Sequence, residues 1–513
     1  TTSLLFGYAM DLDGASNNTI SNTFLSATSG FTLVLENAAN SNVISQSTIT
    51  AEGDNAILNG ALRIDAAGSN QVLDSYISNT TNYAAIILGG SNNTVARSTV
   101  ATVEGLSAFW INGASFNTIT QSNIFTSSGT AALLIESASD NTVSQSNLSN
   151  LLSVDGAVVA ISAGSPTNAI TQSRLVANGA KSSGLFISAS GDNTVSSTTI
   201  VSLGGHGIFF EAGANLNFIS YSTMVSAAPD YAGIYFGGCS EETIVYSYVQ
   251  GSSAVVMDAS DSIIMTESVF VATSTTGSAL AFINGSGNVE MSSVSLHAPS
   301  QGRGLFLDET SPLSPASLVS LDGVAFTGAG RGIQISTQSV DFALVVSSIT
   351  FRGLAPGATA IHFMGGAFVT TFTLVNFEDA SIAVNVSAAA LDQASFIKFE
   401  RYKGVRSGAL FENDPNNVVD WGGFEPYPGC SSTTNVGLGK PYPTIQSGVD
   451  ALISSMTMTG PYCVVIWDGE NYLEQVTVKN FTNNGSSITI FAAPEFGFRP
   501  VVSPPASSTA AFV

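Results

Sequence analysis

The chain has 513 residues, and its 14 Lys and Arg against 37 Asp and Glu give a net charge of −23 at pH 7. Nucleic-acid backbones and anionic membrane surfaces would repel such a chain, which argues against both as partners. No segment approaches the roughly 18 consecutive apolar residues of a membrane span, so we expect no membrane insertion.

Only 10% of the residues are charged, whereas 44% are hydrophobic and 49 are glycine. Low hydrophobicity with high charge would indicate disorder, but here the apolar residues are abundant and regularly placed, so the chain should fold. Its solubility then depends on small neutral polar side chains, a balance typical of extracellular β-solenoids. We therefore expect an extracellular or cell-surface protein.

One pattern recurs along the first half of the chain: Asn, any residue, an aliphatic residue, two polar residues, Ser or Thr, any residue, and another aliphatic residue. Between the repeats lie short β-branched segments bounded by Gly, Asn or Ser, which is the signature of strands. The asparagines recur every 23 to 28 residues, and Glu242 takes the same slot in the next repeat. They are Asn18, Asn42, Asn70, Asn93, Asn117, Asn141, Asn168, Asn193 and Asn217.

A single repeat of this kind cannot bury its apolar face, but stacked repeats form one continuous core. Leucine-rich repeats have a similar length, yet their Leu-x-x-Leu-x-Leu signature is absent here. The pattern therefore predicts an all-β fold, a right-handed parallel β-helix with coils of about 24 residues. Asparagine suits its slot because it tolerates the left-handed backbone of a bend and because stacked amides can hydrogen-bond along a column.

The spacing of the predicted strands along the chain indicates three regions. Residues 1–411 form the β-helix, and residues 412–440, rich in Pro, Asn, Ser and Thr, form a linker or cap loop. Residues 441–513 form a capping helix and the first coils of a second β-helix. Apolar residues at i, i+4, i+7 and i+8 from Ile445 predict that helix over residues 444–454.

The start of the last region resembles a known family. Residues 442–446 read Tyr-Pro-Thr-Ile-Gln, an apolar helix and strand follow, and residues 468–476 read Asp-Gly-Glu-Asn-Tyr-Leu-Glu-Gln-Val. Over residues 440–492 this order resembles the N-terminal coil of pectin methylesterases and related β-helix proteins, in which the helix plugs the end of the core. The catalytic residues of that family come several coils later, so the resemblance implies a fold and assigns no catalytic residue here.

The repeat region likewise resembles the generic parallel β-helix repeat of bacterial and archaeal surface proteins, carbohydrate-active enzymes and phage tail proteins. A shared fold does not choose among these functions. The choice has to come from the side chains.

Candidate catalytic residues are few. The segment Gly205-His206-Gly207 resembles the Gly-His-Gly of polygalacturonases, but the other motifs of that family are missing. Glu211 and Asp258 stand at equivalent strand ends two coils, or about 10 Å, apart. An inverting carboxylate pair is separated by about 6.5–9.5 Å. We therefore interpret His206 as a turn residue and favour a protein that is not an enzyme.

Carboxylates recur near the same strand-end slot in several coils, and an acidic column could hold Ca²⁺. Many coils have a neutral residue in that slot, however, so a solvated face is the favoured interpretation and no cofactor or metal is predicted. The residues concerned are Asp13, Asp65, Glu136, Glu211, Asp258 and Asp308.

The three cysteines are too few and too scattered for a zinc site or a disulfide framework. Cys430 and Cys463 could form one disulfide in an oxidising compartment. Cys239 is interpreted as a small buried residue.

These observations favour an extracellular structural protein, fibre-forming or adhesive, in which the solenoid acts as a stiff spacer. The expected partners are further copies or further β-helix units joined end to end, in a filament or a tandem array. The alternative is a carbohydrate-active enzyme or glycan-binding β-helix, including a phage tailspike-like protein, with glycans as partners. A surface cleft with clustered acids and aromatics would favour the alternative.

Overall fold

The computed structural model describes residues 8–52, 60–309, 318–337, 343–365, 369–377, 382–387, 396–399, 402–403, 411–412, 419–420, 430–437, 440–453, 460–479, 487–493 and 499–506. The chain forms two compact units, residues 1–290 with 294–297 (unit 1) and residues 291–293 with 298–513 (unit 2). In both units it winds as a right-handed parallel β-helix, about 16 turns in all, with coils of roughly 25 residues. The predicted fold class is confirmed.

Each coil of unit 1 contributes three strands in a fixed order, and equivalent strands of successive coils pair in parallel to form three sheets. The first sheet contains Met10–Asp13, Leu33–Glu36, Gly60–Asp65, Tyr83–Leu88, Ser107–Asn112, Ala131–Glu136, Ala157–Ser162, Ser183–Ile187, Ile208–Phe210, Ile234–Gly237, Val255–Asp258 and Ser278–Ile283. The second contains Thr19–Ser21, Val43–Ser45, Gln71–Leu73, Thr94–Ala96, Thr118–Thr120, Thr142–Ser144, Ala169–Thr171, Thr194–Ser196, Phe218–Ser220, Thr243–Val245 and Asp261–Thr266. The third contains Phe24–Ala27, Thr48–Ala51, Tyr76–Asn79, Thr99–Thr102, Asn123–Thr126, Asn147–Asn150, Arg174–Ala177, Thr199–Ser202, Thr223–Ser226, Tyr248–Gly251, Val269–Ala272 and Ser295–His297.

Unit 2 repeats the three-strand order. Its first strands are Arg303–Glu309, Arg331–Thr337, Thr359–Gly365, Ile382–Val386 and Phe411–Glu412. Its second strands are Leu318–Asp322, Ala343–Val346, Val369–Phe372, Phe396–Phe399 and Val419–Asp420, and its third strands are Val324–Thr327, Ile349–Arg352, Val375–Phe377 and Tyr402–Lys403. The strand Gly287–Ser292 contains residues of both units.

The core of each unit is filled by inward-facing side chains that stack from coil to coil. In the third sheet of unit 1, Val100, Ile124 and Leu148 are register neighbours and are all buried. In unit 2, phenylalanines take over this role: the ring centroids of Phe326 and Phe351 lie 4.9 Å apart in a stacked arrangement. Equivalent residues must therefore be apolar and similar in size, because each one packs directly on the next.

The C-terminal section contains the helix Ile445–Ile453, within the predicted range 444–454. The three strands Ser432–Val436, Tyr462–Ile466 and Ile488–Ala492 form a parallel sheet beside it, and Asn471–Tyr472 pairs with Val501–Val502. Glu474 holds the start of the helix, because its carboxylate accepts the amides of Ile445 and Gln446 at 2.7 and 2.9 Å.

Two short strands lie within residues 412–440. Val419–Asp420 pairs with Phe396–Phe399, and Ser432–Val436 pairs with Tyr462–Ile466, so both strands belong to sheets. Among the described residues no helix is long and apolar enough to cross a membrane.

Candidate functional site

The nine predicted asparagines lie in one file at the entrance to the second sheet of unit 1. Asn93 and Asn117 show the geometry of the file. The backbone N–H and the side-chain Nδ2 of Asn93 both donate to Oδ1 of Asn117, at 2.9 and 3.1 Å. Asn117 is 1% exposed and in turn donates to Gly90 O at 3.0 Å. Each amide thus satisfies buried polar groups of the coil before it.

At this bend the left-handed backbone conformation is adopted by the residue before each asparagine. The expectation that the asparagine itself is left-handed is therefore wrong, whereas the expected hydrogen bonding of stacked amides is present. Asn92 and Phe116 have φ of 60° and 59°, whereas Asn93 and Asn117 are not left-handed. The asparagine slot is therefore selected by its hydrogen bonds, and the bend itself tolerates a range of residues.

Glu242 takes the next position of the file after Asn217. Its two carboxylate oxygens accept the backbone N–H and the Nδ2 of Asn217 at 2.9 and 3.0 Å. The side chain is 1% exposed, and burial raises the pKa of Glu242 to about 8. A buried carboxylate in an amide file is costly to ionise.

Cys430 and Cys463 form a disulfide in the C-terminal section. Cys239 is a free, buried thiol in unit 1, and burial raises its pKa to about 12. A thiol that stays protonated and buried is unreactive, so Cys239 offers no nucleophile.

A groove of about 500 Å³ runs over the outward face of the first sheet of unit 1. Its floor includes Leu134, Ala160 and Phe186, whose side chains point outward from successive strands. The loops that lead into those strands provide one wall, with Asp155 and Lys181 forming an exposed ion pair at 3.7 Å. A long, open site of this size accommodates an extended ligand.

Five ring side chains from three coils gather at one end of this groove. The ring of His206 lies 5.0 Å from Tyr231, 4.9 Å from Tyr235 and 5.5 Å from Phe209, measured between centroids. Phe209 also contacts Phe186 edge to face at 5.5 Å. All five are partly exposed, so the structure leaves an aromatic surface open to solvent.

His206 is neutral in this setting. The backbone N–H of Ala232 donates to its Nδ1 at 3.1 Å, which requires a lone pair on that nitrogen and leaves the proton on Nε2. Burial lowers the pKa of His206 to about 4. The ring therefore acts as an aromatic surface with one N–H donor.

Carboxylates border the aromatic surface on the strand-end side. Tyr235 donates its hydroxyl to Asp258, and burial together with Asp258 raises the pKa of Tyr235. Glu211 accepts a hydrogen bond from Ser188 Oγ at 2.7 Å. The sheet register puts Glu211 one coil before Gly237 and Gly237 beside Asp258, so the two carboxylates are two coils apart. The structure thus connects His206 to Asp258 through Tyr235, while Glu211 stays separate.

The carboxylates considered as an acidic column do not form a continuous file. Asp65 is followed in register by Leu88 and Asn112 before Glu136, which accepts the indole N–H of Trp110 at 3.2 Å. Asp13 accepts a hydrogen bond from Asn37, and Asp308 belongs to unit 2 with Ser336 beside it. In the part of the chain that the structure describes, no group of three or more His, Cys, Asp and Glu is arranged to hold a metal ion.

The sequence singled out His206, Glu211 and Asp258 only as weak catalytic candidates, and it did not indicate the aromatic residues around His206. Phe186, Phe209 and Tyr235 are register neighbours on the outward face of the first sheet. Their signal was an aromatic at the same strand position in three consecutive coils, which becomes visible only when the strands are aligned by register.

The comparison with protein families agrees with this geometry. The sequence model of the right-handed β-helix region matches residues 60–228. Residues 60–228 are a right-handed β-helix region. The recognised resemblance to β-helix repeat proteins is thereby confirmed. No curated protein matches the chain in sequence.

Several solved β-helix structures are similar to the chain. The Dettilon tailspike protein is 13% identical with a TM-score of 0.37, covering 58% of this chain and 60% of its own. A double mutant of the tailspike of E. coli bacteriophage HK620 is 11% identical with a TM-score of 0.39, covering 75% and 71%. The A-module of the Azotobacter vinelandii mannuronan C-5 epimerase is 10% identical with a TM-score of 0.34, covering 74% and 90%. No residue role follows from similarities of this size.

Proposed function

We propose that unit 1 binds a glycan chain in the groove on the outward face of its first sheet. The observation that carries this proposal is the open aromatic surface formed by Phe186, Phe209 and Tyr235 with the neighbouring rings of His206 and Tyr231. Exposing aromatic rings to water is thermodynamically unfavourable. Apolar surface that stays exposed in a groove is therefore typical of a binding site.

A saccharide matches both components of the groove. The C–H faces of a sugar ring are apolar and pack on an aromatic ring, while its hydroxyls need hydrogen-bond partners at the rim. The groove is lined by Asp155 and Lys181 on the loop side and by Ser162 at the end of a strand. The groove extends along the direction of stacking, so a linear oligosaccharide would contact several coils.

The geometry favours binding over cleavage. His206 has its Nδ1 occupied by Ala232, and Asp258 is hydrogen-bonded by Tyr235. The separation of Glu211 and Asp258 by two coils, about 10 Å, exceeds that of an inverting carboxylate pair. Catalytic groups would need a free proton-transfer atom within reach of the same bond.

The spacer role is a second proposal. It is supported by the asparagine file, in which each coil from Asn18 to Glu242 is hydrogen-bonded by a side chain to the next. Stacked coils joined in this way resist bending and present the groove at a fixed orientation. The disulfide between Cys430 and Cys463 supports an extracellular location, because disulfides persist in oxidising compartments.

The glycan proposal is tested by applying the purified chain to an array of linear oligosaccharides and measuring the best binder by isothermal titration calorimetry. Phe209→Ala should weaken that binding about tenfold or more, equivalent to about 1.4 kcal/mol. Tyr221→Ala is the matched control, because Tyr221 stacks on Tyr246 in an exposed aromatic pair outside the groove.

The control should bind like the wild type, and both variants should keep the wild-type circular dichroism spectrum. Equal affinity of the Phe209→Ala variant and the wild type would refute the groove as the binding site. Release of reducing ends from the bound oligosaccharide would show cleavage and refute the binding-only proposal.

The spacer proposal has its own test. Electron microscopy of the full chain at increasing concentration would show straight filaments if copies join end to end. Particles that remain single at every concentration would contradict a fibre-forming role and leave the glycan proposal untouched.

A further inference from the structure

A second cluster of polar side chains lies in unit 2, at the start of its first strands. Arg303 and Arg331 are register neighbours on adjacent parallel strands, which lie about 4.8 Å apart. Both side chains are partly exposed. Two cations so close repel each other, and in a chain with only 14 Lys and Arg the pairing needs a physical reason.

A buried glutamine fixes both guanidinium groups. Arg303 Nε and Arg331 Nη1 each donate to Oε1 of Gln334, both at 3.1 Å. Gln334 is 4% exposed, and its own Nε2 contacts Met364 Sδ at 2.8 Å. Arg303 also lies over the ring of Phe306, 4.1 Å from its centroid. The two groups are held in place with most of their N–H donors still unused.

No carboxylate among the described residues forms an ion pair with either arginine. The ion pairs found in the described residues involve Arg63, Arg97 and Lys181, and none involves Arg303 or Arg331. Burial and the neighbouring Arg331 lower the pKa of Arg303, and Asp308 offsets this only in part.

His362 adds a buried group without a partner. It is the register neighbour of Gln334 and is 8% exposed. Its Nε2 lies 3.1 Å from Ser387 Oγ, while its Nδ1 is buried and has no hydrogen-bond partner. In the tautomer with the proton on Nδ1, Ser387 donates to Nε2 and a buried N–H donor is left for a ligand. An unsatisfied buried donor destabilises the fold, and a bound acceptor would remove that penalty.

We propose that Arg303, Arg331 and His362 form a binding site for the carboxylate group of an organic ligand. A guanidinium presents two parallel N–H donors that match the two oxygens of a carboxylate. The negative charge of a carboxylate offsets the repulsion between the arginines. Inorganic phosphate is an anion of the same sign and therefore serves as a competitor in the test. The site belongs to unit 2 and does not depend on the groove of unit 1.

The test uses the full chain and a pair of probes that share the sugar backbone: hexagalacturonate, which carries free carboxylates, and the same hexamer with every carboxyl converted to an uncharged methyl ester. Isothermal titration calorimetry on the wild type should give at least tenfold tighter binding of the acid than of the ester. Arg331→Gln should abolish this preference. Arg174→Gln, which removes one positive charge from an exposed position on the third sheet of unit 1, should keep it.

Each outcome decides the proposal. Equal binding of acid and ester by the wild type overturns it, and this comparison stands even if a variant fails to fold. A preference that survives in Arg331→Gln overturns the assignment to these residues. Inorganic phosphate that displaces the hexamer at equal concentration overturns the carboxylate assignment. Phe209→Ala should leave the acid preference intact, so failure of the groove proposal remains distinguishable.

Discussion

The buried Glu242 at the end of the asparagine file should make unit 1 less stable as the pH rises through neutrality. Its folded pKa is raised to about 8 from an ordinary 4.5, so the folded state holds a proton that the unfolded chain releases. The stabilisation is complete below the unfolded pKa and is lost as the pH rises through the folded pKa. Between pH 6.5 and 8.5 the loss is about 2 kcal/mol.

This pH window separates Glu242 from the other perturbed groups of its unit. His206 has a folded pKa of about 4 and an ordinary value of 6.5, so its effect falls below the window and has the opposite sign. Cys239 has a folded pKa of about 12 and an ordinary value of 9.0, so its effect falls above the window. Stability changes between pH 6.5 and 8.5 therefore report mainly on Glu242.

The variant Glu242→Gln isolates the carboxyl group. Its amide oxygen can accept both N–H groups of Asn217, as each Asn Oδ1 does elsewhere in the file, but it cannot titrate. The assay is hydrogen exchange of peptides from residues 215–245, corrected for the intrinsic pH dependence of exchange, since long repeat arrays do not unfold in one step. The wild type should lose protection between the two pH values while the variant holds constant. An equal loss in both would refute the assignment to Glu242.

Three further predictions concern stability. Asn117→Ala leaves two buried N–H groups of the preceding coil without an acceptor and should lower the local opening free energy from hydrogen exchange by about 3 kcal/mol. The control Asn147→Ala, at an exposed position, should stay within about 0.5 kcal/mol of the wild type, and equal losses in both variants would contradict the prediction. Cys463→Ser opens a covalent loop with a separation of 33 residues and should destabilise the C-terminal section by about 3–4 kcal/mol in thermal unfolding. Reductant should bring the wild type to the same melting point, and a variant that melts like the oxidised wild type would contradict this. Unfolding in acid lets His206 take up a proton that the folded state does not bind, so lowering the pH from 6.5 to 4 should destabilise its coils by up to about 3 kcal/mol in the wild type and by much less in His206→Gln. Hydrogen exchange of peptides around His206 at each pH measures this difference.

The repeat pattern predicted the fold because its determinants are local and periodic. The Asn slot, the Ser or Thr five residues later and the aliphatic residues between them repeat at nearly constant spacing, and stacking is the arrangement that buries them all. The Ser or Thr forms a second file: Ser47 Oγ donates to Ser45 O at 2.8 Å and accepts the N–H of Thr23 at 3.2 Å. These roles needed no knowledge of distant contacts.

The predicted reason for the Asn slot was only half right, and the error is physical. The preference of a side chain for the left-handed backbone conformation is a local property. From the sequence, that conformation is therefore assigned to asparagine, which is the most frequent residue at the bend. The actual left-handed residue, such as Phe116, varies in type from coil to coil, because the hydrogen bonds of Asn117 and its equivalents hold the bend.

The sequence by itself determined how the chain winds: its period, its core and the file of amides that ties each coil to the next. The tertiary structure decided which outward-facing side chains become neighbours. Tyr231 and His206 are 25 residues apart, and Arg303 and Arg331 are 28 apart, so no local motif links them. Their proximity depends on the register of the sheet, which the inward-facing residues set, because a shift of one residue would exchange the buried and exposed faces. Binding surfaces on a solenoid are therefore determined by the packing of the opposite face.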